Sequence, residues 1–324
     1  MRKVLLTTTA LVALGGVSAA SALDISGTYM FDYTINDNGT ANSAGNNNTA
    51  MSEDARIVFS GESTTDSGLT FGGAVALDKD GTAEDAGLYV SGDFGYIMAG
   101  ATDGVVDGMD GFMLGSATPE VGAGTALSTV NTGAAMTDAA GSEKVGYRSP
   151  VISGFQFGFS HTDAGRTSKA DNNQWMVTYD FGVAKVGYGQ GTIGAAAGTS
   201  AETNQKQYGI GTSFGDFGFT FAAGTDTTKN TSGGESSKID TNDYGVSYSG
   251  IENVSLYYNG IKSEEKTGTN AGDELSATIV GLSYTIAPGV SALIESGNND
   301  FTNANSTALS DQSNYTRLGL SVDF

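Results

Sequence analysis

The chain contains no cysteine. That excludes a disulfide framework, thiolate metal ligands and a cysteine nucleophile. Proline is also scarce: 3 prolines accompany 48 glycines, so the glycine excess is not collagen-like. Basic residues number 15 against 36 acidic ones, a net charge of −21. Phosphate backbones are held by clustered Lys and Arg, so this balance excludes a nucleic-acid partner. There is a single histidine, His161. Beyond the N-terminus no apolar run approaches the ~20 residues of a membrane-spanning helix.

What is present begins with an export signal. Met1-Arg2-Lys3 is a basic start, Val4 to Val17 is apolar, and Ala20-Ser21-Ala22 is an A-x-A cleavage site. The expected division is a leader at 1–22, cleaved on export, and one mature domain at 23–324.

The mature chain alternates with a period of two, which puts alternate residues on opposite faces of a sheet. In the first stretch Ile25, Gly27, Tyr29, Phe31, Tyr33 and Ile35 oppose Asp24, Ser26, Thr28, Met30, Asp32 and Thr34. The pattern recurs at Phe155-Phe157-Phe159, at Trp175-Val177-Tyr179-Phe181 and at Phe217-Phe219-Phe221. It ends with Leu318, Leu320, Val322 and Phe324 at the last residue.

The connections decide what this sheet is. Short turns at Thr65–Gly68, Gly92–Gly95, Ser149–Gly154, Asp180–Gly182, Gly215-Asp216, Gly250–Asn253 and Ala287–Gly289 alternate with long polar segments. Those segments run over Asp37–Ser52, Asp78–Glu84, Ala101–Glu143, Asp163–Asn172, Gly191–Asn204, Thr225–Lys238, Ser263–Gly272 and Asn298–Gln312. One rim of turns and one of loops is the layout of a transmembrane antiparallel β-barrel, its apolar row toward lipid and its polar row toward a lumen. The spacing predicts an all-β fold of about sixteen strands, with both termini on the short-turn side. The segment Ala101–Glu143 stands apart, because it is long and does not alternate. A connection of that length is usually functional. It is expected to fold inward and narrow the barrel.

In layout, the mature chain resembles Gram-negative general diffusion porins of the alphaproteobacterial, Rhodobacter type. Three stretches carry the resemblance: Ala55–Glu62 with Thr65–Gly72, then Pro119-Glu120-Val121-Gly122, then Lys144–Pro150. The terminal Phe324 is similar to the family's C-terminal aromatic, which outer-membrane insertion machinery reads. The resemblance implies a homotrimer in the outer-membrane lipid of a Gram-negative cell. It implies a water-filled channel for small hydrophilic solutes and ions, narrowed by an eyelet of loop carboxylates facing a basic wall. By position Glu120 matches the acidic side, and Arg56 and Arg148 match the basic side. Many relatives carry a further arginine where this chain has Ala101-Thr102.

Alternation alone supports the same wall positions. Arg56, Lys144, Arg148, Lys185 and Arg317 fall on polar rows, and a charge turned to mid-bilayer lipid would cost about 2–4 kcal/mol. Asp103, Asp107, Asp110 and Glu120 are the acidic loop candidates. Acidic excess and the missing arginine together predict weak cation preference.

Other motifs do not redirect this reading. Gly211-Thr212-Ser213-Phe214-Gly215 matches a nucleophile-elbow pattern, but it ends a strand at a hairpin and has only His161 to draw on. Asp78-Lys79-Asp80-Gly81 lacks EF-hand spacing. No cofactor is implied, although carboxylates of the long loops are candidates for Ca²⁺. His161 reads as an interfacial or subunit-contact residue. The competing readings are a substrate-specific channel of the same fold, for which Tyr89, Tyr257 and Tyr315 are lumen candidates, and a secreted β-rich adhesion protein.

Overall fold

A computed structural model of the protein describes residues 23–38, 49–102, 104–105, 143–163, 171–194, 201–230, 232–304 and 311–324. The expected leader and the loop carboxylates Asp103, Asp107, Asp110 and Glu120 lie outside them.

Sixteen antiparallel strands form one closed barrel. They are β1 (Asp24–Asn38), β2 (Thr49–Thr64), β3 (Thr70–Asp78), β4 (Ala83–Gly92), β5 (Gly95–Ala101), β6 (Glu143–Arg148), β7 (Phe155–Thr162) and β8 (Asn172–Asp180). They continue with β9 (Ala184–Ile193), β10 (Glu202–Phe214), β11 (Phe217–Lys229), β12 (Glu235–Ile251), β13 (Val254–Thr267), β14 (Glu274–Ala287), β15 (Val290–Thr302) and β16 (Asp311–Asp323). Each strand pairs with its neighbours in sequence. The ring closes where β1 pairs with β16, from Thr28 opposite Asp323 to Asn38 opposite Ser313. Among the described residues no helix is long and apolar enough to cross a membrane.

Closure explains how such a chain can sit in lipid. Every backbone N–H and C=O inside hydrocarbon needs an internal partner, and a closed ladder supplies one without an edge. Even the terminus takes part: Gly27 N donates to Phe324 O at 2.9 Å, and Phe324 N donates to Gly27 O at 3.0 Å.

The registers sort the two faces as the alternation predicts. Thr28, Arg56 and Asp78 share one row across β1, β2 and β3, on the inward face. On the outward face Phe217, Phe219 and Phe221 of β11 lie opposite Tyr248, Val246 and Tyr244 of β12, and all but Tyr248 are among the exposed large apolar side chains. At the short-turn rim aromatic rings pack against one another. Phe155 meets Tyr179 at 4.2 Å, Tyr179 meets Phe181 at 4.4 Å, and Phe217 meets Tyr248 at 4.7 Å between ring centroids. Such a girdle marks a membrane–water boundary.

All seven short turns stand where expected. Their tight bends use backbone that L side chains rarely adopt, as at Gly68 (φ 85°) and Gly289 (φ 73°). The long connections are shorter than the sequence suggests. β1 continues to Asn38, β10 begins at Glu202, β11 runs to Lys229, β13 to Thr267 and β15 to Thr302. The cause is physical. Above the bilayer the outward row no longer needs apolar residues, so the ladder continues while the alternation that signals it fades. Asp78–Gly81 forms one of the tight connections on this rim. Gly81 N donates to Asp78 O at 2.8 Å and Thr82 N to Asp80 Oδ1 at 2.8 Å. The Thr82 hydrogen bond holds the Asp80 carboxyl below the usual carboxylate range. Among the described residues no group of three or more His, Cys, Asp or Glu is placed to hold a metal ion.

The face assignment makes a prediction. Phe219→Arg should lower unfolding stability in lipid vesicles by about 2–4 kcal/mol, and Thr220→Arg, on the inward face, by much less. Denaturant titration in bilayers reads both values, and equal losses would reject the assignment.

Candidate functional site

The inner wall differs from the outer in chemistry. β9 and its neighbours present Gly187, Gly189, Gly191, Gly209 and Gly211 inward, a bare backbone surface. Around it stand Gln174, Gln205, Gln207, Asp226 and Asp243, all buried. Gln205 Nε2 donates to Asp226 Oδ2 at 3.3 Å. Nearer the short-turn rim a recess of about 520 Å³ opens over Lys185, Thr220, Ser247, Tyr257 and Asn259.

Each predicted wall cation faces inward, and each is engaged. Arg56 Nη2 lies 2.5 Å from Asp85 Oδ2. Lys144 is 3% exposed, and its Nζ donates to the Thr102 carbonyl. The Arg148 guanidinium stands over the Tyr96 ring, 4.8 Å from its centroid. Arg317 is ion-paired with Glu295, Nε 3.0 Å from Oε1, with Asp32 Oδ2 4.0 Å from its Nη1. Lys185 lies opposite Asp180 across the β8–β9 hairpin, at the recess.

The five cations do not converge on one point. Arg56 is opposite Thr28 and Arg317 opposite Thr34, six positions along β1, or roughly 20 Å. Lys144 and Arg148 are four positions apart on β6, roughly 13 Å. Arg148 therefore sits at the short-turn end of its strand, and Lys144 at the end that receives the long connection.

The start of that connection turns inward. Beyond β5, Val105 is 2% exposed, and its N–H donates to Ser160 Oγ at 3.3 Å. Ser160 is on the inward row of β7, opposite Gly146 and Gln174. The chain thus crosses the inner face of β6 within a few residues of leaving β5.

Several wall groups were not anticipated. Glu295 is 4% exposed, is ion-paired with Arg317, and accepts two hydrogen bonds, from Tyr257 Oη at 2.7 Å and Tyr315 Oη at 3.3 Å. Tyr257, Gly281 and Glu295 occupy one cross-strand row, so the tyrosine lies flat over the glycine to reach the carboxylate. A Cβ on Gly281 would collide with the Tyr257 ring. The same arrangement recurs at Tyr89, Gly72 and Glu62, with Tyr89 Oη donating to Glu62 at 2.7 Å. Tyr257 and Tyr315, far apart in sequence, thus meet on one carboxylate, while Tyr89 stands elsewhere on the wall. The available signal was Glu295 itself, the one charged residue on the inward row of β15.

A family model described as Gram-negative porin matches residues 7–323. The chain belongs to the Gram-negative porin family. Among solved structures, the anion-selective porin from Comamonas acidovorans is similar at a TM-score of 0.74 and 17% identity, covering 94% of this chain and 100% of that one. OmpT of Vibrio cholerae is similar at 0.71 and 16%, covering 95% and 99%. A mutant porin from Rh. blastica is similar at 0.60 and 16%, covering 94% and 100%. Comparison with curated sequences gives no match.

As a porin, the protein is an outer-membrane channel for diffusion, and the polar inner wall is its pore wall. The nucleophile-elbow pattern is absorbed into the porin's β10 and its turn. Ser213 lies on the inward row of β10 opposite Gly218. His161 is on the outward row of β7, with Nδ1 2.8 Å from Asn173 Oδ1, so the barrel wall separates the two.

The Glu295 network should be a structural staple of the porin. Glu295→Gln removes the buried carboxylate charge beside Arg317, and is expected to cost about 3 kcal/mol, the lower end for a broken buried pair. Guanidinium unfolding compared with the wild type measures it.

Proposed function

We propose that this porin is a general diffusion channel with a weak preference for cations, and that it works as a homotrimer exported through a cleaved leader at 1–22. The segment from Ala101 to Glu143 continues inward and forms the narrow point, with Asp103, Asp107, Asp110 and Glu120 toward the lumen. The observation that carries this is the inward turn at Thr102–Val105, anchored by Ser160 and by Lys144. Inward side chains such as Met176, Gln207 and Ala277 are buried although they face the barrel axis, as expected of a wall with a segment packed on it.

The cation preference rests on how the wall cations are held. Arg56 and Arg317 are ion-paired with Asp85 and Glu295, and Lys144 is buried. Their fields in the lumen are damped by those partners. The inward carboxylates Asp54, Asp78 and Glu62 add charge of the other sign. Rings of fixed charge set ion preference in a pore. The Comamonas porin is described as anion-selective, and at 17% identity the likeness shows the fold alone. For assembly, one similar structure, in-vitro folded OmpT of Vibrio cholerae, is described in a trimer form.

The reversal potential in a planar bilayer under a potassium chloride gradient tests the preference. The expected sign favours potassium, and a chloride-favouring sign overturns the proposal. The combined Asp107→Asn, Asp110→Asn and Glu120→Gln variant should move the potential toward zero. An unchanged value would take these residues out of the narrow point.

A further inference from the structure

The recess near the short-turn rim of the porin has a patterned floor. Lys185, Gly211, Thr220, Gly245 and Asn259 form one inward cross-strand row over β9 to β13. Gly218, Ser247 and Tyr257 form the next row toward the rim. Glycines therefore alternate with side chains that can hydrogen bond. Gly245 is the centre of the pattern: Thr220 and Asn259 flank it across the ladder, and Ser247 stands two residues along β12. Thr220 and Asn259 are two strands apart, roughly 10 Å, and Ser247 is diagonal to both, roughly 7–8 Å from each. The three side chains thus enclose a patch of bare backbone.

This patch is neutral and open. Thr220, Ser247 and Asn259 are each at least partly exposed, and none of them hydrogen bonds through its side chain among the described residues. Elsewhere on the wall Arg56, Arg317, Tyr89 and Gln205 are engaged with carboxylates. Charge stays at the margins of the recess. Lys185, opposite Asp180, is two strands from Thr220, and Glu295 is buried. At the opposite margin Tyr257 supplies a plane. Its ring lies over Gly281 and is pinned by the hydrogen bond from Oη to Glu295 Oε2 at 2.7 Å, so it offers a face without reordering.

We propose that the recess is a saccharide subsite of the pore. Thr220, Ser247 and Asn259 hydrogen bond the hydroxyls of one pyranose ring seated over Gly245, and the C–H face of the adjoining ring lies against Tyr257. The proposal rests on the channel reading, since a sugar reaches the recess through the lumen, but not on the ion preference. A few convergent polar groups beside a fixed aromatic face are the usual make-up of a small-molecule site, and about 520 Å³ is within the usual size. The lack of charge among the three side chains selects a neutral ligand. Free donors and acceptors on both sides select a polyhydroxylated one, and the pinned ring lowers the ordering cost of binding. Passage requires that such a site hold its solute weakly enough to release it.

The test records single channels of the full mature porin in a planar bilayer while maltose is added. Conductance in salt alone tests the channel reading separately. With maltose, the wild-type current should fall to a plateau as concentration rises. Polyethylene glycol of matching hydrodynamic radius, which competes only for volume, should lower it without a plateau. The Thr220→Val, Ser247→Ala, Asn259→Leu variant should need at least roughly tenfold more maltose for half the effect, the loss expected for three neutral hydrogen bonds. Thr70→Ala, on β3 and eight strands from β11, should leave the half-effect concentration unchanged. A fall in wild-type current without a plateau, alike for maltose and polyethylene glycol, overturns the proposal whatever the variants do. So does an unchanged half-effect concentration in the triple variant, or an equal shift in Thr70→Ala.

Discussion

The hydrogen-bonded closure of β1 on β16 is the constraint that the rest of the molecule serves. A sheet in hydrocarbon cannot leave a row of N–H and C=O groups unpaired. The register from Thr28–Asp323 to Asn38–Ser313 removes the last such row. Once the sheet is closed, side-chain alternation becomes a division between lipid and lumen, so every strand must keep its phase. The last residue takes part in the seam, because the backbone of Phe324 bonds both ways with Gly27.

Closure also sets the electrostatics of the interior. Charges on inward rows are confined to a narrow space with few partners to choose from, and they find one another across strands. Arg56 with Asp85, Arg317 with Glu295 and Asp32, and Arg148 with Tyr96 all arise this way. Flat tyrosines over glycine carry carboxylate contacts across a third strand, at Tyr257–Gly281–Glu295 and Tyr89–Gly72–Glu62. The wall is thus a set of short cross-strand networks, and its glycines are where rings lie down or the inner surface is left bare. Outward charge obeys a different rule. On β10 to β13 it appears where the apolar rows end, and there it includes lysine.

The strand phase was legible in the sequence because lipid and water impose opposite demands on adjacent residues. Phe217, Phe219 and Phe221 against Gly218, Thr220 and Ala222 could be read without coordinates. So could the inward direction of Arg56, Lys144, Arg148, Lys185 and Arg317. Strand ends on the loop rim were not legible, because the same alternation loses its apolar half above the membrane, as along Lys262 to Thr267. Pairing was not legible either. Nothing local to Ala292–Ser296 announces that Glu295 gathers Tyr257, Tyr315 and Arg317, since those contacts depend on register between strands distant in sequence. The height of each wall cation was not legible for the same reason: position along a polar row says which face a residue occupies, not how far along the barrel it stands.

The absence of native cysteine allows the central claim, lipid outside and water inside one closed wall, to be measured position by position. Single cysteines at Phe219, Phe221 and Val246, and at Thr220, Gly245 and Ser247, can be spin-labelled in lipid vesicles and tested for collision with oxygen and with a water-soluble nickel chelate. The account predicts strict alternation, with oxygen favoured at the first set and nickel at the second. Nickel access at all six positions would contradict it.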